Sequence, residues 1–140
     1  MVLPQRHRLR GRGVFDYLYQ RGQRFQQGLL QLRVAAAAPE LLREPPQDLE
    51  RELRLGVVIS SKVSKRAVVR NRLRRRLHDD FVEACQPQTG RIRRDCSPCW
   101  LLLSLKPGAA DLGEDELLRE WRALLQQTGL IDDGNPHHSQ

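Results

Sequence analysis

The most regular pattern in the chain is a row of apolar residues spaced four apart within the segment 64–85. Residues four apart lie on the same face of an α-helix, so this spacing predicts an amphipathic helix of about five turns with one buried side. The apolar row consists of Val69, Leu73, Leu77 and Phe81. At about 100° per residue, the opposite side of the predicted helix carries Asn71, Arg74, Arg75 and His78, with Arg70 and Arg76 beside the apolar row.

Four shorter segments have the patterns of β-strands. In one of them Leu30, Leu32 and Val34 alternate with polar residues, as expected for a strand with one buried face. The last two segments are short apolar runs, which are typical of buried strands. The four predicted strands are 24–26, 29–34, 54–60 and 100–105.

Apolar residues at helical spacing also predict a helix near each end of the chain. In the first helix, Phe15, Leu18 and Tyr19 are candidates for the inward side, and Gly22 is a plausible end. The last helix begins after a capping segment at 111–113 and ends near Gly129. Its predicted inward side consists of Leu117, Leu118, Trp121, Leu124 and Leu125.

The predicted elements follow one another in the order α-β-β-β-α-β-α. This order predicts an α+β sandwich, in which helices pack against a four-stranded sheet and the basic helix follows the third strand. The 140 residues are enough for one domain. We expect that domain to cover 1–130, with a proline-rich, charged surface insertion near 39–52 and a disordered tail at 131–140.

The net charge of the chain is strongly positive. The 24 lysines and arginines outnumber the 17 aspartates and glutamates, which gives a formal charge of +7 and a pI near 10.1. Such a surplus is typical of proteins that bind polyanions. Most of these cations are arginines, whose planar group suits bidentate phosphate contacts, although GC-rich coding would produce the same bias.

Other classes of protein fit the sequence poorly. The longest apolar runs have five residues, and the basic N-terminal segment is not followed by an apolar stretch. Because roughly 20 apolar residues are needed to cross a bilayer, we expect a cytoplasmic protein without membrane contact. Cys96 and Cys99 have the spacing of half a zinc site, but a second half is missing, so we expect no metal there.

The charges of the central helix are arranged against the helix dipole. Eight cations and no acid occur in residues 62–76, with Lys65 and Arg66 predicted in the first turn. Acids lie toward the other end, namely Asp79, Asp80 and Glu83. The dipole disfavours such an arrangement by roughly 0.3–1 kcal/mol per group. Because an external anion would remove most of this cost, the pattern predicts binding of RNA or DNA phosphates. A solvated helix face with charges placed by chance is the alternative.

Residues 54–81 (RLGVVISSKVSKRAVVRNRLRRRLHDDF) closely resemble the protein component of bacterial ribonuclease P. In that family a strand leads through a basic turn into a helix with an Arg-Asn-Arg motif, which stands here at 70–72. The resemblance extends to 6–25 and to 100–121, where a strand, a Lys-Pro-Gly-Ala loop and the last helix follow in the family order. Together these blocks cover nearly all of 6–126.

The resemblance implies that the chain is one subunit of a ribonucleoprotein enzyme. In that family the RNA subunit holds magnesium ions and cleaves precursor tRNA, so we expect no catalytic residue and no cofactor on the protein. The implied partners are ribonuclease P RNA and precursor tRNA, without an obligate protein partner. The residues that match those facing the catalytic RNA are Lys62, Lys65, Arg66, Arg70, Asn71, Arg72, Arg74 and Arg75.

The family also has a cleft for the 5′ leader of precursor tRNA between the first helix, the sheet and the basic helix. By position Phe15 and Tyr19 would line this cleft, where aromatic rings can stack on unpaired bases. Simple core packing is the alternative for both rings. Arg33 stands where many relatives have an aromatic residue, so an electrostatic leader contact is expected there.

Two other functions would also explain parts of the sequence. A structural RNA-binding protein on a related fold accounts for the charge equally well, and the ordered match of three blocks is what argues against it. A double-stranded DNA binder would insert the arginine-rich helix into a major groove. Against this, the apolar row buries one side of that helix, and no helix-turn-helix partner precedes it.

Overall fold

The seven predicted helices and strands are all present, in the predicted order. The computed structural model describes residues 5–46, 48–49, 52–86, 89–93 and 95–131. The helices are α1 (Arg12–Arg21), α2 (Ala67–Ala84) and α3 (Glu114–Thr128). The strands are β1 (Gln23–Gln27), β2 (Leu30–Ala36), β3 (Leu53–Val58) and β4 (Cys99–Leu105). Each boundary lies within a few residues of the position that the sequence predicts.

The four strands form one sheet in the order β1-β2-β4-β3. β2 pairs antiparallel with β1 and with β4, whereas β3 pairs parallel with β4. The helix α2 therefore connects two parallel neighbours. β4 lies inside the sheet and is covered on both faces, which explains why residues 99–103 are all buried and why its sequence is almost continuously apolar.

The helices α2 and α3 pack against one face of the sheet and form the larger core. Leu73, Leu77 and Phe81 of α2 are buried there, and Val69 packs against its margin, so the predicted apolar row is confirmed. The rings of Phe81 and Trp121 meet edge to face, with their centroids 6.5 Å apart. Burying each large apolar side chain contributes roughly 1.5–3 kcal/mol, which makes this face the main source of stability.

The helix α1 covers part of the opposite face. Val14 and Leu18 pack there in a cluster that includes Trp100. Phe15 is half-buried, but Tyr19 is 47% exposed, so core packing is wrong for Tyr19. The helix α1 contacts the sheet through Val14 and Leu18. Tyr19 is turned about 100° around the helix axis from Leu18 and therefore lies away from this contact.

The last helix has the inward side that the sequence predicts, because all five of its predicted apolar residues are buried. The helix ends at Gly129, whose φ of 82° is the left-handed conformation that glycine adopts easily. Ile131, at which the predicted tail begins, is buried and bridges Ile92. Residues 132–140 lie outside the described part of the chain.

Asp80 has a structural role that corrects the interpretation of its charge as misplaced. Its side chain is 1% exposed, and its carboxylate accepts a hydrogen bond of 3.0 Å from the Trp121 indole N–H. Arg91 and Arg122 each donate to the same carboxylate at 2.9 Å. These partners compensate the buried charge, so Asp80 needs no external ligand to explain it.

Candidate RNA interface

The exposed side of α2 is a continuous basic surface. Val68, Asn71, Arg72 and Arg75 follow one another at helical spacing and line one shallow depression. Arg72 and Arg75 are exposed, and Val68, one turn before Arg72, has 63% of its surface exposed. An exposed apolar residue beside arginines would offer a polyanion both van der Waals and ionic contacts.

The turn that leads into α2 adds three more exposed cations, namely Lys62, Lys65 and Arg66. Two serines shape this turn, since the Lys62 N–H donates to the Ser60 hydroxyl and the Arg66 N–H to the Ser64 hydroxyl, each at 3.2 Å. The helix begins at Ala67, so Lys65 and Arg66 precede its first turn, and the expectation that they lie within it is wrong.

Two of the predicted interface residues are partly engaged within the protein. Arg70 donates to the Ser64 carbonyl oxygen at 2.7 Å and so braces the basic turn against the helix. Arg74 donates to the Asn71 side-chain oxygen at 3.0 Å. This bond orients the Asn71 amide and uses one lone pair of its oxygen, so the amide N–H groups are placed to donate to a ligand such as a phosphate oxygen.

The two margins of the α2 surface are defined by Arg76 and His78. Arg76 turns toward α3, where it pairs with Glu114. His78 is half-buried, and burial together with the positive charge of Arg74 lowers the pKa of His78 to about 4. The imidazole is therefore neutral at pH 7, and the cations of this surface are its lysines and arginines.

The second candidate surface lies on the sheet face beside α1. The guanidinium carbon of Arg33 lies 4.7 Å from the ring centroid of the exposed Tyr19. Phe15 lies one turn earlier on α1 and packs over Gly56, where an added Cβ would be 3.1 Å from the Phe15 ring. The structure thus brings together all three residues predicted for the leader cleft, with Phe15 half-buried against the sheet and Tyr19 beside Arg33 at the surface.

The same sheet face carries polar residues that the sequence interpretation missed. Arg24 lies opposite Arg33, and Gln26 and Ser104 lie on either side of Gln31 in the pairing of β1, β2 and β4. Directly paired residues point to the same face, so these side chains form a polar row on the face that carries Arg33. The alternation of the polar Gln31 and Arg33 with the apolar Leu32 and Val34 was the signal that could have identified them.

Burial makes two of the three cysteine thiols weakly acidic. Cys85 and Cys99 have thiols whose pKa is raised to about 12 by burial, so both are protonated at neutral pH. Within residues 5–131, leaving out the undescribed gaps, no group of three or more His, Cys, Asp or Glu residues could hold a metal ion. In the same part of the chain, no helix has the length and apolar character needed to cross a membrane.

A four-stranded sheet with helices on both faces and an uncompensated basic helix defines a small polyanion-binding α+β protein. The sequence model of the ribonuclease P family matches residues 3–129. A ribonuclease P protein component of Synechococcus sp. (strain RCC307) is 70% identical over 132 residues, covering 94% of this chain and 99% of that protein. One from Prochlorococcus marinus (strain MIT 9313) is 46% identical over 136 residues, with the same coverage. The chain belongs to the ribonuclease P protein family.

Solved structures show the same fold. The RNase P protein of Staphylococcus aureus superposes with a TM-score of 0.67 at 15% sequence identity, and the match covers 90% of this chain and 98% of that one. The predicted α+β class and the four-stranded sheet are therefore confirmed.

Proposed function

We propose that this chain is the protein subunit of ribonuclease P and that the outer surface of α2 binds the catalytic RNA. The sheet face beside α1 then binds the 5′ leader of precursor tRNA. The subunit promotes endonucleolytic removal of the leader to give the mature tRNA 5′ end, while the RNA subunit carries the chemistry. It works in the cytoplasm, without an obligate protein partner.

The observation that supports this proposal most is that the positive charges at the start of α2 are almost all without an acidic partner in the described part of the chain. Of the eight cations between Lys62 and Arg76, Arg76 alone forms an ion pair within the part of the chain that the structure describes. Exposed arginines close together on a helix repel one another by roughly 0.2–0.5 kcal/mol per pair. Phosphates of a bound RNA would replace this repulsion with attraction and release counterions.

The proposed leader surface on the sheet lies next to the proposed RNA surface of α2, because β3 leads into the basic turn before α2. The polar row on the sheet reaches Val58, which pairs with Ser104 at the end of β3. Two residues further on, the chain enters the basic turn before α2. A single strand that lies across the sheet beside Tyr19 would therefore leave toward the cations that bind the catalytic RNA.

Magnesium enters this proposal as an ion of the RNA subunit. Precursor tRNA and the catalytic RNA are both polyanions, so their association is opposed by repulsion that divalent cations and a basic protein can each relieve. We therefore expect the largest effect of the protein where magnesium is scarce.

The test is cleavage of a precursor tRNA by a bacterial ribonuclease P RNA at low magnesium, with and without this protein. We expect a large gain in correct 5′ cleavage, no activity from the protein alone, and a smaller gain with Arg72→Ala. Arg119→Ala, which removes an exposed arginine from α3, is the matched control. Tight RNA binding without any gain in cleavage would instead indicate a structural RNA-binding protein.

A further inference from the structure

Residues 6–10, called here the N-terminal segment, run along the outer edge of β3. Arg8 forms a parallel bridge with Leu55. The His7 ring N–H donates to the Leu53 carbonyl oxygen at 2.9 Å, and the His7 ring meets Phe81 of α2 edge to face at 5.7 Å. The segment thus occupies a defined place between the edge of the sheet and α2.

A buried carboxylate holds this segment in place. Glu52, at the end of the connection between β2 and β3, is 4% exposed and accepts a hydrogen bond of 2.8 Å from the Trp100 indole N–H. It also accepts one from Arg54, whose other nitrogen donates to the Arg8 carbonyl oxygen at 3.1 Å. We call the chain Trp100–Glu52–Arg54 the clamp. A buried charge is stable in such a place only with partners of this kind.

The clamp fixes further arginines at the edge of the sheet, in a segment that contacts α2 through His7 and Phe81. The contact of the His7 ring with Phe81 sets this segment beside α2, and the charge of Arg8 is one of the smaller causes that lower the pKa of His78. Arg6 and Arg10 are exposed and line one wide cavity at this edge of the protein, where five arginines outnumber the three acids Glu44, Asp48 and Glu52. The positive charges in excess of these acids repel one another, and an external anion would relieve this repulsion.

We propose that Arg6 and Arg10, positioned by the clamp, form a second contact with the backbone of the same RNA that α2 binds. This inference rests on the proposed function and extends its RNA surface from one helix to the edge of the sheet. It also gives the proline-rich connection a role, because the connection supplies Glu52 to the clamp.

The experiment measures the affinity of the full chain for ribonuclease P RNA alone, between 50 and 200 mM salt. Each arginine that contacts a phosphate contributes about 1 to the slope of log affinity against log salt. For R6Q/R10Q we expect the slope to fall by about 2 and the affinity at 0.1 M salt to fall roughly tenfold per arginine. R119Q is the control, and R72Q/R75Q tests the α2 surface in parallel.

The outcomes separate the two proposals. If R6Q/R10Q binds like R119Q while R72Q/R75Q loses affinity, the second contact is wrong and the proposed function stands. The same conclusion follows if R6Q/R10Q loses affinity for the RNA only when precursor tRNA is also present. If R72Q/R75Q also binds like wild type, the placement of the whole RNA interface is wrong.

The positioning role of the clamp has a separate test. W100F keeps an aromatic ring in the core but removes the hydrogen bond to Glu52. We expect W100F to weaken RNA binding severalfold in the wild-type background and to have little further effect in R6Q/R10Q, because the arginines that it positions are then absent. If the affinity losses of W100F and R6Q/R10Q simply add in the combined variant, Trp100 acts on stability alone and the positioning role is wrong.

Discussion

Arg33 of β2 lies over the ring of Tyr19 of α1, with its guanidinium carbon 4.7 Å from the ring centroid. A cation in this position is attracted by the ring, which fixes two long side chains that would otherwise move freely in solvent. The pair presents a flat guanidinium group and an aromatic ring together on the open sheet face. A single-stranded leader can use such a pair for stacking and for phosphate contact at one place.

Replacing either member of this pair should weaken binding of the leader specifically. For Tyr19→Ala or Arg33→Ala we expect a loss of about 1–3 kcal/mol, the usual contribution of one stacked base. The measurement is the affinity of the reconstituted ribonucleoprotein for a precursor tRNA and for the same tRNA without a leader. Tyr17→Phe is the control, since its ring lies on Trp100 and its hydroxyl donates to the Ala36 carbonyl oxygen. Equal losses for both tRNAs would contradict this assignment.

Asn71 and Arg72 should contribute to assembly with the catalytic RNA and not to the fold. Both are exposed on α2, so Asn71→Ala and Arg72→Ala should leave the circular dichroism spectrum and the unfolding midpoint unchanged. Each should weaken RNA binding, since charge-assisted hydrogen bonds contribute about 1.5–3 kcal/mol. Unchanged affinity with a native spectrum would show that the RNA lies elsewhere.

The affinity of the wild-type protein for RNA should depend steeply on salt. If about six phosphates are neutralised, the affinity should fall roughly a thousandfold between 50 and 200 mM salt. Titrations at four or five salt concentrations measure the slope directly. A flat profile would mean that the arginines of α2 face water in the complex.

The buried Asp80 should matter for stability and not for RNA recognition. Asp80→Ala leaves the Trp121 N–H and two arginines without their acceptor, and we expect a loss of about 3 kcal/mol in the free energy of unfolding. Arg91 and Arg122 are partly exposed, so water can replace the hydrogen bonds that they lose. The expected loss of stability therefore lies at the lower end of the range for a broken buried ion pair. Urea unfolding gives the value, with the neighbouring Asp79→Asn as the control. Equal midpoints for the two variants would contradict the role of Asp80.

His78 should make the folded protein less stable in mild acid. The folded state keeps His78 neutral down to about pH 4, whereas the unfolded chain takes up the proton near the ordinary value of 6.5, so the lowered pKa favours unfolding between these two pH values. Stability should be lost as the pH falls through that window, and His78→Gln should reduce this loss. Urea midpoints at pH 7 and pH 5 test it, and equal pH dependence in both proteins would contradict it. His7, whose pKa is also lowered, is retained in both.

Local sequence patterns were sufficient to predict the helices and strands, including the basic helix α2. Val69, Leu73, Leu77 and Phe81 are close in sequence, so their spacing alone identified the helix and its buried side. The same holds for the alternation along β2, which placed Arg33 on the face opposite Leu32. The sequence also showed the family, because three blocks match it in order.

Long-range contacts decided what the local patterns could not show. Nothing near Asp80 in the sequence indicates that Trp121 and Arg122 will reach it, and nothing near Glu52 indicates Trp100, because these partners are 41–48 residues away. The exposure of Tyr19 likewise depends on where α1 crosses the sheet. The sequence by itself determined the elements, the charge and the family, since these depend on neighbours along the chain. The tertiary structure decided which charges are buried and paired and which remain available to RNA, since that depends on the order in which the strands assemble.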